Sequence, residues 1–377
     1  MRRINFNTSN YTEHIKSSLI DLDMLRSDGV YVASYMDLVK EIAELSYLNP
    51  DYMLFYRGQV LDFKNKNSST TVYPSMYREE RISKNELKYK FDVLNTASAL
   101  LVDKLEKHNI IGNTELKRKK QIQWSILQHY EVCPTPLLDV THSLRVACSF
   151  SMLNNINDHC YIYVFALPYL TGRISINSEH DLVNIRLLSI SPPQALRPFF
   201  QEGYLVGTEF ICDEYENKME LDFNRRLLAK YKIPNSKEFW GDSFTQIDEK
   251  LLYPEHDIIN KICKEVKYEL DYKITAGNET IGRFLLKWNI IEERLRNLNG
   301  GQYNTSQALK YFRDNNNFDD ITFSKLEDLR KFRNKVVHNP VSIALNDLYR
   351  YDQVIEDVIK SFKRYDDFNK EVAAASI

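Results

Sequence analysis

The sequence contains no apolar run of about 18 residues, so it offers no stretch suited to a membrane-spanning helix. Its polar opening, MRRINFNTSN, lacks the apolar stretch of a signal peptide, and the expectation is a cytoplasmic protein with no membrane partner. Cysteine is sparse: Cys133, Cys148, Cys160, Cys212 and Cys263 are odd in number and show neither CxxC nor Cys/His zinc spacing. Buried, reduced thiols and no metal are the expectation. An excess of positive charge is also missing, since 50 Lys and Arg face 52 Asp and Glu, for a net charge of −2. That balance argues against nucleic-acid binding through a broad positive field and leaves room for a local site. The one tight basic run, Lys117 to Lys120, reads as a solvated helix face.

What is present is an ordinary globular composition, 43% hydrophobic and 27% charged, over 377 residues, long enough for two domains with a core each. Ser34 and Asp37 precede the helical spacing Leu38, Ile42, Leu45, and Ser83 with Glu86 forms a capping box before Phe91, Leu94, Ala97, Leu101 and Leu105. Tyr52 to Tyr56 reads as a strand that stops at Arg57-Gly58, where glycine permits a sharp turn. Further strands are expected at Cys160 to Ala166, near Leu187 to Ile190 and over Leu205 to Ile211. Helices are expected over Ile122 to Tyr130 and Leu144 to Met152, with Thr141-His142-Ser143 at the second one's N-terminus, which favours an anion. From about Thr275 the pattern is helical only: Ile281 to Leu298 ending at Asn299-Gly300-Gly301, a basic helix Leu326 to Val337 stopped by Pro340, and Leu345 to Phe362. The tail Glu371 to Ile377 is expected to be disordered.

Tyr56-Arg57-Gly58-Gln59, YPSMYR (73 to 78), LQHY (127 to 130), PTPLLD (134 to 139), Gln201-Glu202-Gly203 and LLYPEHD (251 to 257) occur in this order, and together they resemble the FRG domain family. The resemblance covers residues 34 to 268 and leaves 1 to 33 as an N-terminal extension. Glu131 stands where the family has a glycine after the His-Tyr pair, and the segment up to Pro134 is one residue longer. FRG domains in turn resemble a divergent ADP-ribosyltransferase fold. That resemblance implies an α+β fold with NAD as substrate, held by Arg57, Gly58, Gln59, Tyr130, Thr141 and Ser143. A guanidinium suits a pyrophosphate or ribose edge, and hydroxyls would orient the nicotinamide ribose.

The catalytic set the resemblance implies is Glu202, Gln201, His129 and Arg57. Departure of nicotinamide builds positive charge on the ribose, which the acid Glu202 would stabilise, whereas Gln201 would only hydrogen-bond. Which of the two points inward stays open, since neighbours on a strand face opposite sides. Bland readings stand beside these. Arg57 either binds ligand or pairs with a carboxylate, His129 either contacts substrate or packs in the core, and Tyr130 is a core aromatic or stacks on nicotinamide. Thr141 and Ser143 cap a helix or bind ribose, and Asp139 is read as a turn cap.

Arg333-Asn334-Lys335-Val336-Val337-His338 at a helix end resembles the Arg-x4-His pattern of the HEPN superfamily, an all-α bundle expected over 275 to 370. That family pairs protomers to form a metal-independent ribonuclease, so Arg333 and His338 become an alternative site and a homodimer an expected assembly. The first functional expectation is an NAD-dependent ADP-ribosyltransferase acting as a bacterial toxin or anti-phage effector. Its acceptor would be a nucleic acid, RNA before DNA, or else a protein, and an antitoxin or similar inhibitor would restrain it. The alternatives are a HEPN ribonuclease with the FRG part as recognition domain, and a non-enzymatic interaction module.

Overall fold

The computed structural model describes all residues except 20–21, 81, 209–216, 274–277, 299–304, 315–318, 341–342 and 376–377. It divides into two compact units, Met1–Ile82 with Lys90–Tyr268, and Ser83–Tyr89 with Glu269–Ile377. The architecture is α+β.

The first unit is built on eight strands: β1 (Val30–Tyr31), β2 (Met53–Gln59), β3 (Leu138–Thr141), β4 (His159–Leu167), β5 (Ile174–Asn177), β6 (Leu182–Arg186), β7 (Gly203–Thr208) and β8 (Leu227–Pro234). They form one sheet in the order β1-β8-β4-β2-β3-β7-β6-β5, parallel at β1–β8 and antiparallel elsewhere. The helices of the chain up to this unit's end are α1 (Glu13–Ser18), α2 (Tyr35–Tyr47), α3 (Lys84–Lys107), α4 (Asn113–Arg118), α5 (Lys120–His129), α6 (Leu144–Met152), α7 (Leu187–Ile190), α8 (Arg197–Gln201), α9 (Glu249–Leu252) and α10 (Ile258–Lys273).

Strand alternation builds the core on both faces of the sheet. Leu54 and Tyr56 of β2, with Ile162 and Val164 of β4, pack beside Leu38, Ile42 and Leu45 of α2. Phe55, Tyr163 and Phe165 point the other way and join Val140, Val206 and Phe223. Burying a side chain such as Leu38 or Phe55 contributes about 2 kcal/mol each. The cap of α2 forms as its residues dictate, Ser34 Oγ accepting from the Asp37 amide at 3.2 Å. At α3 the capping box closes both ways, Ser83 N to Glu86 Oε2 at 3.0 Å and Glu86 N to Ser83 Oγ at 3.2 Å.

Several expectations need correction. β2 does not stop at Arg57-Gly58 but runs through both to Gln59, so Gly58 makes no turn. A Cβ built there would lie 1.9 Å from the carbonyl oxygen of Ala147 on α6, and glycine is required by that close approach. Leu187 to Ile190 is a helical turn instead of a strand, with the strand, β6, immediately before it; Leu187 is buried, its side chain lying against Gly203. β7 ends at Thr208, and the expected continuation to Ile211 lies outside the described residues, as does the helix stop at Asn299-Gly300-Gly301. The basic run is split by extended Lys119 between α4 and α5, and Lys117 and Lys119 are paired with Glu106 and Glu115. Cys148, Cys160 and Cys263 are buried free thiols, Cys133 is half-buried and free, and Cys212 lies outside the described residues.

The second unit's helices are α11 (Asn278–Leu298), α12 (Thr305–Asp314), α13 (Asp320–His338) and α14 (Leu345–Ala375), with no strand among the described residues there. Phe284, Trp288, Leu309, Leu326, Phe332 and Ile355 form its core. The Phe332 and Tyr351 rings stack at 3.9 Å. The tail expected to be disordered from Glu371 is helical through Ala375. No described helix is long and apolar enough to cross a membrane.

Candidate functional site

The sheet forks at its centre. β2 and β3 pair only at Tyr56 and Thr141, although the same register would place Arg57 opposite Val140 and Gly58 opposite Asp139. A cavity of about 240 Å³ opens there, lined by Tyr56, Arg57 and Gly58 from β2 and by Asp139, Val140 and Thr141 from β3. Gln128, His129 and Glu131 at the end of α5, Ala147 and Phe150 of α6, Gln201, Gly203 and Tyr253 complete the wall.

Arg57 spans the fork. Its Nη1 donates to the Asp139 carbonyl at 2.6 Å, and with the Gln59 amide turned so that its oxygen faces the guanidinium, Nε donates to that oxygen at 3.0 Å. Burial pulls the guanidinium below its ordinary pKa, and the Asp139 charge opposes the shift. Gln59 therefore reaches the site through Arg57 and positions it.

Asp139 caps no turn; it sits on β3 and ties the LQHY and PTPLLD motifs together. Its Oδ2 accepts from Gln128 Nε2 at 2.6 Å, and its Oδ1 lies 3.3 Å from His129 Nδ1. Gln128 Oε1 accepts in turn from Thr135 Oγ1 at 2.5 Å and from Ser75 Oγ at 3.3 Å, which brings in the YPSMYR motif. Burial would raise the Asp139 carboxyl, yet the hydrogen bonds and charges of His129, Arg57 and Gln128 outweigh it and hold the group below its usual value. The other ring nitrogen of His129, Nε2, is buried without a hydrogen-bond partner among the described residues. Such a nitrogen, backed by a carboxylate, can accept or donate a proton.

The remaining expected residues divide. Gln201 lines the cavity with its Nε2 on the Leu252 carbonyl at 2.8 Å. Glu202 is exposed, in a left-handed turn (φ 43°) between α8 and β7, and its side chain is not part of the cavity wall. The pair thus lies at a helix end and not within a strand, so strand alternation does not govern which residue points inward. Thr141 lines the cavity, but its hydroxyl is shared between the Gln201 and Glu202 carbonyls at 2.9 and 3.1 Å and accepts from the Ser143 amide. Ser143 precedes α6 without a side-chain cap bond and stands outside the wall.

Tyr130 also stands outside the wall, buried, with its hydroxyl donating to Asp257 Oδ2 at 2.6 Å. Asp257 takes the Leu196 and Arg197 amides on the same oxygen and the Ile259 and Asn260 amides on the other. Arg197 lies between the Tyr130 and Tyr253 rings and donates to the His129 carbonyl at 2.8 Å. The LLYPEHD motif thus braces the cavity wall from behind.

The residues 53–160 match the family model of the FRG domain. The FRG match takes in Arg57, the His129–Asp139 pair and Thr141 and stops before Gln201 and Tyr253. No curated protein and no solved structure matches the chain.

Sequence reasoning passed over Gln128, Phe150 and Tyr253 as wall residues. Gln128 and Tyr253 lie inside quoted motifs, which was the only available signal. Among the described residues no group of three or more His, Cys, Asp or Glu is placed to hold a metal. In the second unit Arg333 and Asn334 line a separate hollow of about 250 Å³ with Trp288, Glu292, Thr305, Ser306 and Arg330. His338, the last residue of α13, is exposed and not part of its wall.

Proposed function

We propose that the FRG cavity binds NAD and transfers its ADP-ribose to an acceptor, with a nucleic acid, RNA before DNA, as the acceptor class. The observation that carries this reading is the Arg57 guanidinium at the sheet fork, anchored through Nη1 and Nε and with Nη2 unpartnered among the described residues. An anchored guanidinium loses little freedom on meeting a phosphate or ribose oxygen, so it suits the diphosphate end of a dinucleotide.

The opposite charge is close by. Asp139 and Glu131 are the two carboxylates of the wall, and negative charge there would stabilise the positive ribose carbon that forms as nicotinamide leaves. Phe150 and Tyr253, edge-on at 6.0 Å, offer aromatic surface for a flat ring. On this reading the acidic role expected of Glu202 passes to the wall carboxylates, because Glu202 lies off the wall. The preference for RNA, action as a toxin or anti-phage effector and restraint by an inhibitor rest on the family resemblances.

The test is labelled NAD incubated with the full chain and total cellular RNA or lysate, beside Arg57→Ala. Label on RNA or protein that disappears in the variant supports transfer; label that persists unchanged removes Arg57 from the site. A second reading, a metal-independent ribonuclease in the second unit, is favoured by one observation: Arg333 Nε is buried without a hydrogen-bond partner among the described residues. RNA shortening that requires His338 and no NAD would establish it.

A further inference from the structure

Glu131 combines three properties that neither Asp139 nor Glu202 has together. It lines the cavity, its side chain is 72% exposed, and no described residue donates a hydrogen bond to its carboxylate. Its nearest cation, Arg197, stays 3.8 Å away and is committed to the His129 carbonyl and the two tyrosine rings. Asp139, by contrast, has both oxygens engaged by Gln128 and His129, and Glu202 lies off the wall.

Glu131 holds φ at 57°, the left-handed region that favours glycine, and is fixed there by its amide on the Gln128 carbonyl at 3.0 Å and its own carbonyl accepting from Lys267 Nζ at 3.3 Å. A residue with a side chain is strained at such a position, as Glu202 is at its own left-handed turn. What the side chain adds is a carboxylate that accepts no hydrogen bond from the described residues, at the solvent side of the wall.

Resting on the transferase reading, we infer that Glu131 takes the proton from the incoming acceptor, which therefore presents an uncharged N–H or O–H group at the open side of the cavity. The acceptor's nitrogen or oxygen forms a bond to the ribose C1′ as the C1′–nicotinamide bond breaks. Nicotinamide leaves as a neutral molecule with the bonding pair, and the acceptor's proton goes to the Glu131 carboxylate. Electrons and protons balance with no further reactant. An exposed carboxylate at the mouth suits this role better than Asp139, whose two oxygens are already engaged by Gln128 and His129, because the acceptor arrives from solvent after NAD is seated.

The experiment compares full-length wild type, Glu131→Gln and Glu131→Gly. NAD affinity is read by calorimetry, and transfer of labelled ADP-ribose is followed to total RNA or lysate. The expected result is NAD affinity within about threefold of wild type and transfer slowed about 100-fold or more. Glu131→Gly relieves the backbone, so loss of transfer in this variant, with its thermal transition retained, is not a folding defect. Wild-type transfer rates in Glu131→Gln overturn the inference and leave the transferase reading standing. A loss of NAD affinity as large as the loss of transfer also overturns it, by making Glu131 a donor-binding group. A wild-type protein that neither binds NAD nor transfers label brings down the transferase reading and this inference with it.

Discussion

The Arg57 guanidinium replaces a stretch of missing strand pairing: where β2 and β3 part, its Nη1 donates to the Asp139 main-chain carbonyl at 2.6 Å. The same aspartate holds Gln128 and His129 through its carboxylate. One residue thus fixes the cation on one side of the cavity and the histidine on the other.

Arg57→Lys keeps the charge but replaces the planar fork by a single nitrogen, which cannot occupy the Nη1 and Nε positions from which arginine reaches Asp139 and Gln59. NAD affinity is expected to fall about 10-fold to 100-fold, from the loss of roughly 1.5–3 kcal/mol of charge-assisted hydrogen bonding. Calorimetric titration of both proteins checks this, and equal affinities would place the diphosphate elsewhere.

Asp139→Asn should destabilise the fold in a pH-dependent way. The folded carboxyl lies below its ordinary value, so its ionisation contributes stability above the unfolded pKa of about 3.9, and that contribution is lost as pH falls through the folded value. Its side chain is about one-third exposed, which screens the effect to about 1 kcal/mol at pH 7. Urea melts at pH 7 and pH 3.5 should show the gap between wild type and variant narrowing in acid.

Gly58→Ala forces a methyl group against the Ala147 carbonyl, at 1.9 Å before relaxation. β2 or α6 must shift, at an expected cost of about 3 kcal/mol. A chemical denaturation series measures it, and a change under 1 kcal/mol would mean that the helix moves away freely.

Glu131→Gly should gain about 0.5–1 kcal/mol, as relief of the left-handed strain exceeds the extra chain entropy of glycine. A lowered thermal midpoint would contradict the strain argument.

Asp257→Ala removes the acceptor of four main-chain amides and of the Tyr130 hydroxyl, so about 3 kcal/mol should be lost. Tyr130→Phe deletes one of those bonds and should cost about 1 kcal/mol. Thermal melts of both order the two effects, and a larger cost for Tyr130→Phe would reverse the assignment of Asp257 as the brace.

The sequence alone determined the elements whose signals are local. Ser34 with Asp37 and Ser83 with Glu86 cap their helices because capping involves residues three apart, and Leu38, Ile42 and Leu45 mark a buried face because helical periodicity repeats within one turn. The helical character beyond residue 275 was legible on the same ground, though α12 was missed and α14 continues past its expected end. The motifs that carry the FRG resemblance were also legible as order and spacing. Tertiary structure decided how they meet: Ser75, Gln128, Thr135 and Asp139 share one hydrogen-bond chain although up to 64 positions separate them. It also decided that Gly58 answers to the backbone of α6, that Tyr130 faces Asp257 instead of the cavity, and that Glu131 reaches the wall while Glu202 faces solvent. Each of these depends on which distant segment packs opposite a residue, and local preferences of the chain carry no information about that.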